Sequence, residues 1–230
     1  MTKAEYTGKR VIFLDRDGVL NVDKHVTYRL EQLALIDGVV EGLSNLQTLG
    51  FAFIVVTNQS AVGRGLFTEE DLDRFNKALC ARLEDNGVHI LDLFFCPHDA
   101  VFGIGEYKQK CACHKPAPGM FFAAADKYDL NLPQCYYIGD KRSDVVAAFN
   151  AGCQAILVET GILNDEHLYP GDYPHIRVKN LPAAARMIAG ELALARMQET
   201  GVFVPPFDAA LCKRFTNSWT LDKEGVSLEQ

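Results

Sequence analysis

Short apolar runs alternating with amphipathic helical stretches predict an α/β fold, a Rossmann-like doubly wound parallel sheet with helices on both faces. The runs are residues 10–14, 51–56, 90–95, 136–138 and 155–158, each followed by polar or glycine-containing residues, as buried strands require. Between them, 38–49 places Val39, Leu43 and Leu46 on one helical face, and 69–86 places Leu72, Phe75, Leu79 and Leu83 on one stripe. Thr68 suits the N-cap of the second helix. Pro118 suits the first position of a helix over 120–128, and Ser143 and Gly152 suit the ends of another.

With 230 residues, 48% of them hydrophobic, the chain can bury a full core, and one large domain is the expectation. The longest apolar runs are far short of the roughly 20 residues that span a bilayer. The first ten residues are polar and charged where a signal peptide needs an apolar stretch, so a cytoplasmic protein is expected. A formal net charge of −7 argues against general binding to nucleic acid or anionic membrane, though a few local cations and a metal ion can still attract an anionic substrate. Seven cysteines in such a chain are not expected to form a disulfide framework. Past an alanine-rich helical stretch at 183–198, residues 201–230 carry Pro205-Pro206 and little periodicity.

In a doubly wound sheet ligands bind beyond the carboxyl ends of the strands. Those segments read Asp15-Arg16-Asp17-Gly18, Thr57-Asn58-Gln59-Ser60, Cys96-Pro97-His98 and Gly139-Asp140-Lys141. Asp15 and Asp17, one residue apart at a buried strand end, repel one another unless a cation lies between them. Magnesium answers that need, with carboxylates, a backbone carbonyl, water and a substrate phosphate in its shell, and Asp140 is the natural third contributor. Cys96, His98, Cys111 and Cys113 form a Cys₃His set suited to a closed, structural zinc site, although the one-residue gaps are tighter than in common zinc fingers. The bland reading of each feature alone is a capping aspartate, a solvated lysine or a reduced loop cysteine; their order along one strand–helix chain argues against coincidence.

Asp15-Arg16-Asp17-Gly18-Val19, Thr57-Asn58, Lys115-Pro116 and Gly139-Asp140 with Asp144 resemble the four ordered motifs of the haloacid dehalogenase superfamily. The resemblance implies an aspartyl-phosphate mechanism. Asp15 would be the nucleophile and Asp17 the general acid and base. Thr57 and Lys115 would hold the phosphoryl group, while Asp15, Asp140 and the carbonyl of Asp17 ligate magnesium. Asp144 would support the metal waters or complement the start of the helix that Ser143 caps.

Cys-Pro-His with Cys-x-Cys-x-Lys-Pro narrows this, over roughly residues 9–190, to a capless type with a zinc-binding loop, similar to the D-glycero-D-manno-heptose-1,7-bisphosphate 7-phosphatase family and its histidinol-phosphate phosphatase relatives. The implied role is removal of the 7-phosphate on the route to ADP- or GDP-activated heptose for surface glycans such as lipopolysaccharide, by a monomer acting on a small phosphorylated sugar. Asp23, Lys24, His25 and Val26 fall on the loop that meets the sugar, Thr57, Asn58, Gln59 and Ser60 on the phosphate loop, and Lys141 adds a cation. Where the family usually has an arginine for the distal anionic group, this chain has His114, which lacks the guanidinium fork. Residues 1–190 would be the phosphatase domain. Residues 191–230 form an extension of open role, in which Phe203, Val204, Phe207, Leu211 and Phe215 could pack as a surface strap. The rivals are a histidinol-phosphate phosphatase, a polynucleotide 3′-phosphatase, which would need a basic groove, and a catalytically silent binding protein of the same fold, against which the intact acids and lysine argue.

Overall fold

The computed structural model describes residues 10–162, 173 and 175–200, and the backbone of 221–222 and 225–226. It divides into two compact units, Met1–Ala185 and Arg186–Gln230. In the first, six parallel strands form one sheet in the order β3-β2-β1-β4-β5-β6. These are β1 (Val11–Leu14), β2 (Ala52–Asn58), β3 (Ile90–Cys96), β4 (Tyr136–Gly139), β5 (Gln154–Val158) and β6 (Ile176–Val178). The chain builds outward from β1 through β2 to β3, then crosses back to lay β4 against the free side of β1. The crevice where strand order reverses is therefore at the carboxyl ends of β1 and β4.

The helices are α1 (Val39–Thr48), α2 (Ser60–Gly63), α3 (Glu69–Glu84), α4 (Gly119–Tyr128), α5 (Arg142–Ala151) and α6 (Leu181–Thr200). Period-2 alternation divides the central strands between two cores. Val11, Phe13, Ile54, Val56 and Tyr137 pack with Phe121 and Ala124 of α4 and Val145 and Ala148 of α5. Ile12, Leu14, Phe53, Val55 and Ile138 face the other way, toward the side of α1 and α3, whose Leu43, Leu46, Phe75, Leu79 and Leu83 are equally buried. Each such side chain contributes about 1.5–3 kcal/mol on leaving water, so the sheet is clamped from both faces at its centre.

Thr68 caps α3 as the sequence predicts, accepting from the Asp71 amide while the Asp71 carboxylate accepts from the Thr68 amide. Gly152 ends α5 with a left-handed φ of 79°. Ser143 does not cap α5. Lys141 is the cap residue, because the Asp144 carboxylate already takes the Asp140 and Lys141 amides, and the helix starts at Arg142. Pro118 likewise precedes the first residue of α4 instead of occupying it. Strand β6 has no counterpart in the predicted set: it is three residues long, and Ile176 and Arg177 are exposed. In the second unit, β7 (Leu221–Asp222) pairs antiparallel with β8 (Gly225–Val226). Phe203, Val204, Phe207, Leu211 and Phe215 lie outside the described residues.

Candidate active site

Asp15 follows β1 directly, and its amide continues the ladder by donating to the Ile138 carbonyl of β4 at 3.0 Å. Its carboxylate is buried, and one oxygen each from Asp15, Asp140 and Asp144 lie within 4.8 Å of one another. Lys115 is the counter-charge. Its ammonium is 3.0 Å from Asp15 Oδ1 and 2.8 Å from Asp144 Oδ1, and it donates to the Tyr137 hydroxyl at 2.7 Å and the Val56 carbonyl at 3.1 Å. Burial pushes the Asp15 carboxyl up to about 7, with Asp144 and Asp140 adding to the rise and Lys115 opposing it. For Lys115 burial favours the neutral form, but Asp144 and Asp15 outweigh it and hold the ammonium above the usual lysine range. Burial likewise works against ionisation of Asp144, but Lys115 holds it below the usual carboxylate range. Lys115 thus pairs with two of these three buried acids and Lys141 lies 3.9 Å from the third, and the clustered carboxylate oxygens suit a hard divalent cation. Gly18, at φ 90°, makes room for this arrangement, since a Cβ there would collide with the Asp140 carboxylate.

Asp17 is held by Arg16 and Gln59. Arg16, fully buried, donates through Nη2 to Asp17 Oδ2 at 2.6 Å, to the Thr27 carbonyl and to Gln59, and through Nη1 to Asn76, with its guanidinium over the Phe75 ring. Gln59 donates to Asp17 Oδ2 and to the Thr57 hydroxyl. Asn58 and Lys115 are latched reciprocally, the Asn58 amide group donating to the Lys115 carbonyl and accepting from the Lys115 amide. The end of β2 is thereby fixed to the segment that carries the buried lysine.

These residues open on a cavity of about 220 Å³ lined by Asp15, Asp17, Asp23, His25, Val26, Thr57, Asn58, Gln59, Ser60, Arg64, Lys115 and Lys141, among others. Lys141 bridges its wall, with Nζ 3.1 Å from Asp23 Oδ2 and 3.9 Å from Asp140 Oδ2. Asp140, fully buried, lies behind the lining residues. Of the residues expected to meet substrate, Lys24 and His114 do not line this cavity. Lys24 is exposed beside it. His114 turns away, its Nδ1 3.8 Å from Cys96 Sγ, and lines a neighbouring cavity instead.

Cys96, His98, Cys111 and Cys113 converge beside the cleft. Their sulfurs are 3.1–3.5 Å apart, and His98 Nδ1 is 3.3 Å from Cys113 and 3.5 Å from Cys96. The three cysteines are free thiols, and one ligand atom from each of the four residues falls within 4.8 Å of the others. Two residues central to the geometry of this site have no signal of their own in sequence, Arg16 reading as a spacer and Tyr137 as a core aromatic, while Gln59, expected on the phosphate loop, also holds the Asp17 carboxylate. Only the burial of Arg16 beside two acids hints at its pairing.

A family model described as HAD-hydrolase-like matches residues 112–184. A D-glycero-β-D-manno-heptose-1,7-bisphosphate 7-phosphatase of Vibrio cholerae is 42% identical over 154 residues, 66% of this chain and 83% of that protein. Its namesake from Haemophilus ducreyi is 40% identical over 67% of this chain and 85% of that one. Among solved structures, a D,D-heptose 1,7-bisphosphate phosphatase from B. bronchiseptica complexed with magnesium and phosphate aligns at a TM-score of 0.71 and 31% identity, covering 79% of this chain and 99% of that chain.

Proposed function

This chain belongs to the D-glycero-β-D-manno-heptose-1,7-bisphosphate 7-phosphatase family, and on that premise we propose that it hydrolyses the 7-phosphate of a heptose 1,7-bisphosphate through a phosphorylated Asp15. The observation that carries the mechanism is the position of Asp15, with Lys115 3.0 Å away and Asp140 and Asp144 alongside, at the sheet's switch point. An Asp15 oxygen attacks phosphorus while the bond from phosphorus to the C7 oxygen breaks, and Asp17 gives its proton to the departing alkoxide. Water then attacks the phosphorylated Asp15, Asp17 takes a proton from it, and the bond between phosphorus and the Asp15 oxygen breaks to release phosphate. Lys115 and Thr57 bind the phosphoryl oxygens throughout, and Arg16 with Gln59 aims Asp17. Magnesium fits the oxygen donors of Asp15, Asp140 and the Asp17 carbonyl, and when bound it supplies positive charge to the phosphoryl group.

We assign the Cys₃His cluster to structural zinc. Tetrahedral coordination at about 2.3 Å places sulfurs about 3.8 Å apart, a small expansion of the observed spacing. Residues 1–190 form the phosphatase domain in this reading, and 191–230 an appended segment. The unoxidised thiols suit the cytoplasm. Phosphate release from heptose 1,7-bisphosphate and from histidinol phosphate, with and without magnesium, tests the assignment. Magnesium-dependent turnover that favours the bisphosphate is expected. Preference for histidinol phosphate would transfer the chain's substrate to the other family, and turnover without any divalent cation would remove the metal assignment.

A further inference from the structure

The ends of β1 and β4 carry the acids of the site, and β5, the next strand in the sheet, ends in none of them. Thr160, two residues past β5, reaches the site all the same: its hydroxyl donates to the Gly18 carbonyl at 2.6 Å, across 142 residues of sequence. The residue before it is held from the edge of the sheet. The Glu159 amide donates to the Lys179 carbonyl at 3.3 Å, and its carboxylate pairs with Arg177 of β6 at 2.7 Å. The short edge strand thus anchors the turn from which Thr160 projects.

Gly18 is the position where such a bond has most leverage. At φ 90° it packs so closely on Asp140 that a Cβ would fall 2.3 Å from Asp140 Oδ2. Its amide donates to the Asn21 carbonyl at 2.8 Å, and the Leu20 and Asn21 amides both donate to the Arg16 carbonyl at 2.9 Å. These bonds lie within one loop and fix its internal shape. They do not fix its distance from β4. Because a trans peptide is planar, the Gly18 N–H sets the plane that also carries the Asp17 carbonyl, the proposed backbone ligand of magnesium. How that carbonyl stands to the Asp140 carboxylate then depends on what ties Gly18 to the neighbouring strands, and the Thr160 hydroxyl is such a tie.

We propose that Thr160 is a positioning residue for the magnesium site: by fastening the Gly18 carbonyl to the end of β5, it keeps the Asp17 carbonyl and the Asp140 carboxylate at a separation that one cation can bridge. It acts as an outer-shell partner, orienting ligands without being one. The position requires a donor, which threonine and serine supply and valine, of threonine's shape, does not. This inference rests on the magnesium site proposed above and adds to it a residue outside the four ordered motifs.

Titration calorimetry with magnesium chloride alone, on zinc-loaded protein, tests it without turnover. Thr160→Val should raise the magnesium Kd about tenfold, as loss of an outer-shell partner does, and Thr160→Ser should bring it back to within about twofold of wild type. Turnover of the valine variant should need correspondingly more magnesium, while its KM for the sugar phosphate at saturating magnesium stays at the wild-type value. A bond that is only structural predicts a lower Tm with magnesium affinity unchanged, and that outcome would overturn the proposal, as would serine behaving like valine. If Thr160→Val folds poorly, Thr160→Ala deletes the hydroxyl without an added methyl and carries the same comparison. Magnesium-dependent wild-type protein whose Kd is unaltered in both variants removes the role of Thr160 alone. Wild-type protein that neither binds magnesium nor needs it for turnover removes the metal site, and the role of Thr160 with it.

Discussion

In the cleft, the Lys115 ammonium has four partners within 3.1 Å, and Arg16 spends its guanidinium on four more, so each of these buried cations is braced by other elements of the fold. The loop beside it is built otherwise. Between Cys96 and Cys111 it leaves Val101, Phe102 and Ile104 each more than 60% exposed, and its ends meet at four metal-type ligands. The cleft's ion pairs are made by protein groups, whereas the ends of the loop meet at three thiols and an imidazole, the donors of the proposed zinc site. Lys115 lies two residues past Cys113, and its latch to Asn58 ties it to the end of β2, so the cleft's ion pairs are expected to outlast opening of the loop.

The largest effect should come from the nucleophile. Asp15→Asn is expected to lower turnover by about four orders of magnitude or more while far-ultraviolet circular dichroism stays native, because shape is kept and the attacking oxygen is lost. Retention of even a hundredth of wild-type turnover in homogeneous protein would end the aspartyl-phosphate reading.

Lys115→Met strikes the bracing itself. Leaving Asp15 and Asp144 buried without their ammonium should cost about 3–5 kcal/mol of stability in urea titrations, besides abolishing activity. A loss below about 1 kcal/mol would mean that the cleft is not held in the way described.

Metal removal probes the other side of the contrast. Protein as purified should carry about one zinc, and Cys113→Ser should lose it. Amide exchange should then quicken across 96–113 and remain slow in β1 and β2. Equal quickening in the sheet would show that the two regions stand or fall together. The smallest effect is expected from Tyr137→Phe, which deletes the hydroxyl between Lys115 and Asp144, at about 1–3 kcal/mol with the nucleophile still in place.

The acids and the sheet were legible in sequence because each lies where periodicity stops: Asp15 and Asp140 follow apolar runs, and adjacent parallel strands bring such ends together. Bracing was not legible, since Arg16 meets Asn76 and Tyr137 meets Val56 across separations that no local pattern encodes. Direction was also hidden. Lys24 and His114 neighbour true lining residues, yet one faces solvent and the other the thiols, a matter of local backbone course. Asp144 illustrates a different failure, in which one carboxylate both starts α5 and holds Lys115, so that Ser143, a better cap by residue type, is passed over.

The strand order has one more consequence. Asp15 ends β1 and Asp140 ends β4, and these strands become neighbours only after β2, β3 and their helices have been laid down on the far side. No single hairpin or strand–helix–strand unit contains both acids. A refolding chain should therefore regain phosphatase activity only at the long-range step that joins its two halves, later than its helical signal, and turnover becomes a clock for completed topology.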